Sequence, residues 1–122
     1  MLNEEKKILM LLKAIIFHYH GLVEEEEKIL YRSAAELDAE KELKWAFDFI
    51  ARDYITAFER AREYLNQAIK KLGKSKRVQF LNLTWLANRE KGYITEMEAA
   101  AILKIAKDWE VDRELVSMVQ PR

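Results

Sequence analysis

The chain has no cysteine, one proline and three glycines among its 122 residues. The first absence excludes disulfides, thiolate metal sites and thiol catalysis, and gives no evidence for an oxidising compartment, so the cytoplasm is the expected location. The scarcity of glycine and proline, with Pro121 next to last, leaves little turn chemistry to separate strands and favours helices. An excess of charge of one sign is missing too, since 21 Lys and Arg balance 21 Asp and Glu. Without a broad positive field, nucleic acid is not an expected partner. There is also no long hydrophobic run. The apolar stretch Ile8 to Phe17 is interrupted by Lys13 and preceded by Glu4, Glu5, Lys6 and Lys7. It is too short to cross a bilayer and lacks a signal-peptide cleavage pattern. It predicts a buried first helix, no transmembrane segment, and membrane association only through partners.

What remains is 50% hydrophobic and 34% charged residues, enough for one domain over residues 1–122 that buries about two thirds of its unfolded surface without metal or disulfide. Helix signals run along the whole chain. Asn3 followed by two glutamates suits a helix start, and that helix should end before Gly21. Glu24 to Glu27 open a second helix that carries Ile29, Leu30, Ala34 and Leu37 inward. From Leu43, an apolar stripe through Phe47, Ile50, Tyr54, Phe58, Ala61, Leu65, Ala68 and Leu72 is too long for one helix of a small domain, which predicts a break around Arg52 and Asp53. Gly73 is expected to cap that stripe at its C-terminal end, and Ser75 to cap the next helix, with Val78, Leu81, Trp85 and Leu86 facing inward. Thr95 and Glu98 form a Thr-x-x-Glu capping box, the clearest local signal, ahead of Ala99, Ile102, Ile105, Ala106 and Trp109. A short helix follows Asp112. The fold class is all-α, a compact bundle of about six to seven helices.

The chain repeats itself. Placing Gly21 over Gly92 aligns Val23 with Ile94 and Glu27 with Glu98, so two helix-turn-helix units share a tight glycine turn, an aliphatic anchor and a carboxylate at the next helix start. This Gly-x-Val/Ile-x-x-x-Glu pattern between apolar helices resembles the TerB-like family of tellurite-resistance domains and its relatives in membrane-attached J-domain co-chaperones. Leu83 to Trp109, LTWLANREKGYITEMEAAAILKIAKDW, resembles the family's closing half, and Phe17 to Leu30, FHYHGLVEEEEKIL, its opening half more loosely. The resemblance implies about seven helices and a non-catalytic role in stress response or tellurite resistance, as an interaction or scaffold domain with a protein partner or a second copy of itself. Some members bind divalent cations through acidic residues at the two turns, with Ala-Asp-Gly as the usual turn. Here His20 and Lys91 stand before the glycines, and a lysine disfavours a calcium site at that position.

The competing reading is a divalent-metal-binding stress protein that gathers a cation through His18, His20, Glu24, Glu27, Glu96 and Glu98, since imidazole and carboxylate together suit zinc or nickel. Against it, residues two apart on a helix diverge, and a histidine at a helix C-terminus is also accounted for by the dipole. Trp45 and Phe49 lie off the main stripe and form a second apolar face, which fits either a helix packed on both sides or a dimer or partner interface. Lys70, Lys71, Lys74, Lys76 and Arg77 fit a solvated turn or an acidic surface contact. No nucleophile has an obvious base and no glycine loop cradles phosphate, so catalysis is not expected.

Overall fold

The computed structural model describes residues 1–19 and 21–120. These form seven α-helices and no strand: α1 (Asn3–His18), α2 (Glu24–Leu37), α3 (Glu40–Ala51), α4 (Ala57–Ala68), α5 (Lys74–Arg89), α6 (Glu96–Asp108) and α7 (Asp112–Val119), with a single 3-10 turn at Ile69–Lys71 after α4. His20, Pro121 and Arg122 lie outside the described residues.

The apolar run of α1 makes it the central element. Every residue from Ile8 to Phe17 is buried, Lys13 included, so this helix is surrounded rather than one-sided. It packs chiefly on α3 and also on α4, α5, α2 and α6. Its start is tied by Glu5, whose carboxylate accepts the Leu2 N–H at 3.0 Å. The same carboxylate pairs with Lys76 of α5.

The break in the long apolar stripe falls at Arg52 and Asp53, between α3 and α4. The Asp53 carboxylate accepts the Ile55 N–H at 3.0 Å, the local bond by which aspartate competes with helix continuation. Arg60 then holds the corner, donating to the Phe49 and Asp53 carbonyls at 2.9 and 2.8 Å and to the Thr56 hydroxyl at 2.9 Å. The Phe49 carbonyl belongs to the end of α3, where helix geometry leaves acceptors unsatisfied, and the Asp53 carbonyl to the corner that follows it. Tyr54, counted on the stripe by periodicity, sits in this corner and is exposed.

Helix boundaries differ from the sequence expectation at three residues: Asn3 is the first residue of α1 and Leu2 its N-cap, and Gly73 and Ser75 also change place. Gly73 has an extended backbone, φ −70° and ψ 166°, and is the N-cap of α5 rather than the C-terminal cap of the preceding helix, and Ser75 lies inside α5. The carbonyls that a left-handed glycine would have helped satisfy are instead served by Arg77, which donates to Leu72 at 2.9 Å and Ile69 at 3.2 Å, and also to Trp109 at 3.1 Å. Much of the basic cluster is thus internal structure, with Lys76 on Glu5 and Lys74 on Glu114. On α5, Phe80, Thr84, Ala87 and Asn88 are buried with Val78 and Leu81, whereas Leu86 is exposed.

Candidate functional site

The pseudo-repeat is real in three dimensions. Hairpins α1–α2 and α5–α6 each turn through a glycine of positive φ, 103° at Gly21 and 98° at Gly92, a region that side chains with a Cβ avoid. Each glycine N–H donates three residues back, Gly21 to the His18 carbonyl at 3.2 Å and Gly92 to the Arg89 carbonyl at 2.8 Å. Each second helix is then capped by a glutamate at its third position. Glu26 accepts the Val23 N–H at 3.1 Å and Glu98 accepts the Thr95 N–H at 2.9 Å. The Glu98 N–H in turn donates to the Thr95 hydroxyl oxygen at 3.1 Å, so the capping box stands as expected.

The equivalent of Glu98 is therefore Glu26, not Glu27. The second turn holds one residue more between glycine and helix start, and counting from the glycine shifts the register by one. Glu26 and Glu98 point their remaining oxygens at the same ammonium. Lys91, in the second turn, donates to Glu26 at 2.8 Å and also to Glu98. All three side chains are almost fully buried, at 2% for Lys91, 1% for Glu26 and 0% for Glu98. The ammonium also lies 5.3 Å from the ring centroid of Phe17 and 5.2 Å from that of Tyr93, which adds cation–π attraction. Burial acts to lower the Lys91 pKa, but its hydrogen bonds to Glu26 and Glu98 and their charges outweigh it and the result is raised. Burial likewise acts to raise Glu98, and the bonds from Lys91 and Thr95 outweigh it, holding the carboxyl below its usual range. The two turns are thereby locked together through the Lys91 ammonium.

The metal set of the competing reading does not gather among the described residues. Glu24 is exposed and pairs with Lys28 at 3.6 Å, Glu96 is exposed, and Glu27 is only half-buried. His20 lies outside the described residues. His18 is half-buried, in edge contact with Phe47 at 5.8 Å and stacked on Tyr54 at 6.1 Å. Burial lowers its pKa against the opposing pull of Glu26 and Glu27, and its Nε2 is buried without a hydrogen-bond partner. Among the described residues no three His, Asp or Glu side chains converge as a metal site. Of the five proposed ligands among the described residues, Glu98 alone enters the buried cluster, and it meets a lysine there.

Trp45 and Phe49 are not an exposed patch. Phe49 is buried at 8%. Trp45 is half-buried, with ring distances of 5.6 Å to Phe49 and 5.1 Å to Tyr64. The Lys7 ammonium covers Trp45, and Arg52 and Arg60 flank Phe49. The second apolar face is consumed by packing of α3 on α4 and α1.

Sequence reasoning missed a polar pair in the interior. Lys13 of α1, buried at 6%, donates to the Ser33 hydroxyl of α2 at 2.6 Å. Burial lowers its pKa against the pull of Glu90 and Glu36. A serine beside a lysine is a possible nucleophile and base. Here, however, Ser33 sits in the middle of α2, whose neighbouring N–H groups are spent on helix bonds, so no local donor is left to stabilise an oxyanion.

The apolar surface that does remain open lies elsewhere. A groove of about 420 Å³ is lined by Asn82, Trp85, Leu86 and Arg89 of α5, by Tyr93 and Ile94 of the following turn, and by Met118, Val119 and Gln120 at the end of α7. Leu86, Tyr93 and Met118 are each about half exposed, at 46%, 61% and 53%. A larger depression of about 850 Å³ is bordered by Glu24, Glu25, Lys28, Arg32 and Glu90, charges of both signs that largely pair among themselves.

Fold and site together define a class: an all-helical bundle of paired hairpins whose turns are joined by a buried carboxylate, ammonium and carboxylate. No family model, no curated protein and no solved structure matches the chain.

Proposed function

We propose that the chain is a non-catalytic, TerB-like interaction domain that acts as a scaffold in a stress response such as tellurite resistance, in the cytoplasm. The observation that carries this reading is a division of labour. The buried ionisable groups Glu26, Lys91 and Glu98 bind one another and the helix ends, while the apolar groove at α5 and α7 faces solvent. Groups meant for acid–base or ligand chemistry stand open to a cleft, whereas exposed apolar side chains in a groove mark a protein contact.

The divalent-cation alternative has less behind it. Glu26 and Glu98 already close on an ammonium, and a lysine between carboxylates takes the charge that a bound cation would supply. No helix among the described residues is long and apolar enough to cross a membrane, so any role at a membrane complex would run through partners.

Complementation tests the reading. Cells lacking the chain should gain sensitivity to tellurite or another stress, wild-type chain should restore resistance, and Leu86→Glu, a folded variant with its groove spoiled, should fail to do so. Full rescue by Leu86→Glu would refute the assignment of function to this groove.

A further inference from the structure

Building on that reading, we infer that the groove between α5, the α5–α6 turn and α7 receives an acidic, amphipathic helical segment of a protein partner. The floor is apolar, through Trp85, Ile94 and Val119, and the exposed rim carries Leu86, Tyr93 and Met118. Flexible methionine and aromatic side chains at a rim adapt to the side chains of an inserted helix. The volume, about 420 Å³, lies within the range of about 300–1,000 Å³ that specific sites use and admits a few apolar side chains rather than a folded domain.

Charge selects the sign of the partner. Arg89 is the one charged residue lining the groove. Arg113 borders the adjoining depression, which shares Met118. Both arginines are exposed, and neither guanidinium makes a hydrogen bond or ion pair among the described residues, although the surface around them is rich in such pairs. The carboxylate next to Arg113, Glu114, is held by Lys74 at 2.6 Å. An incoming helix with carboxylates flanking its apolar stripe would meet two guanidinium groups with no hydrogen-bonded carboxylate of their own, Arg113 feeling only the charge of Glu114, and guanidinium groups bind carboxylates in a bidentate fork. A basic helix would meet repulsion at the same two points.

Selection from a phage-displayed library of random peptides against the purified chain tests the inference, followed by titration of the selected peptides. The expected winners carry apolar residues at helical spacing with Asp or Glu beside them. Leu86→Glu and Met118→Glu should each weaken binding about tenfold or more, as should Arg89→Glu. Ile55→Glu, at a 95% exposed position outside the groove, should leave it unchanged. A Lys-for-Glu version of the best peptide should prefer Arg89→Glu over wild type. Selected peptides that are uncharged or basic, or that ignore Arg89→Glu while still losing affinity in Leu86→Glu, would overturn the acidic partner and leave the binding domain standing. No selected peptide sensitive to Leu86→Glu would overturn both. Sedimentation showing a dimer that Leu86→Glu dissociates would assign the groove to a second copy and overturn the inference.

Discussion

Replacing Lys91 by methionine keeps most of the side-chain volume and removes the charge that Glu26 and Glu98 share. The site is sealed, with side-chain exposures of 2%, 1% and 0% for the three residues. The variant therefore holds two buried carboxylates without the ammonium between them, the situation in which losing one partner costs about 3–5 kcal/mol. With an unfolding entropy of about 2.1 cal/mol/K per residue, a chain of 122 residues loses roughly 4 °C of melting temperature per kcal/mol, so the melt at pH 7 should fall by about 12–20 °C. Far-UV circular dichroism of the seven helices reads this directly. The deficit should shrink on acidification. In the variant, burial of Glu98 without Lys91 raises its carboxyl pKa above the unfolded level, so protonation favours the folded state. In the wild type Glu98 is held below the ordinary glutamate value of 4.5, so its stabilisation is complete above that pH and is lost as the pH falls through the folded value. The two melting curves should converge from both sides. Adding Glu26→Gln and Glu98→Gln to Lys91→Met should recover at least half of the loss, because glutamine carbonyls can still accept the Val23 and Thr95 N–H groups. A single variant melting within about 3 °C of wild type at pH 7, or a triple variant no better than the single one, would refute the reasoning.

Other outcomes follow from the same interior. His18 is neutralised by burial between Phe47 and Tyr54, facing Glu26 and Glu27, so its folded pKa lies below 6.5. The unfolded chain then binds the extra proton first, and stability should fall as the pH drops below about 6.5. His18→Phe should flatten that slope in urea titrations. Lys13→Met should be neutral or stabilising in thermal melts, because it removes a charge buried at 6% whose hydrogen-bond partner is the Ser33 hydroxyl. Calcium, magnesium, zinc and nickel, each added to chelator-treated protein, should leave the melt unmoved. A shift with zinc lost in His18→Ala would restore the cation reading.

How much could be read in advance depended on how local each signal was. The Thr95–Glu98 box and the two glycine turns were legible because they are decided within a few residues. The break at Asp53 was legible from the length of the apolar stripe. Glu26 was not, because distance from the glycine ignores an inserted residue. Counting three positions into each helix from its cap would have found it. Trp45 and Phe49 were ambiguous because periodicity shows that a helix has two apolar faces and not what covers them. Arg77 hid the true role of Gly73 by supplying donors from a distance. The convergence of Glu26 and Glu98 on Lys91, residues from separate turns, and the opening left at Leu86 are properties of packing that no single segment encodes.

The burial of α1 on all sides sets the order in which the chain can become safe. During synthesis this helix emerges well before α5 and α6, two of the elements that enclose it. Until those elements follow, the run Ile8 to Phe17 has no complete shelter and offers a sticky surface to other nascent chains. A product truncated after α4 should therefore aggregate or occupy a chaperone, rather than persist as a stable half of the repeat.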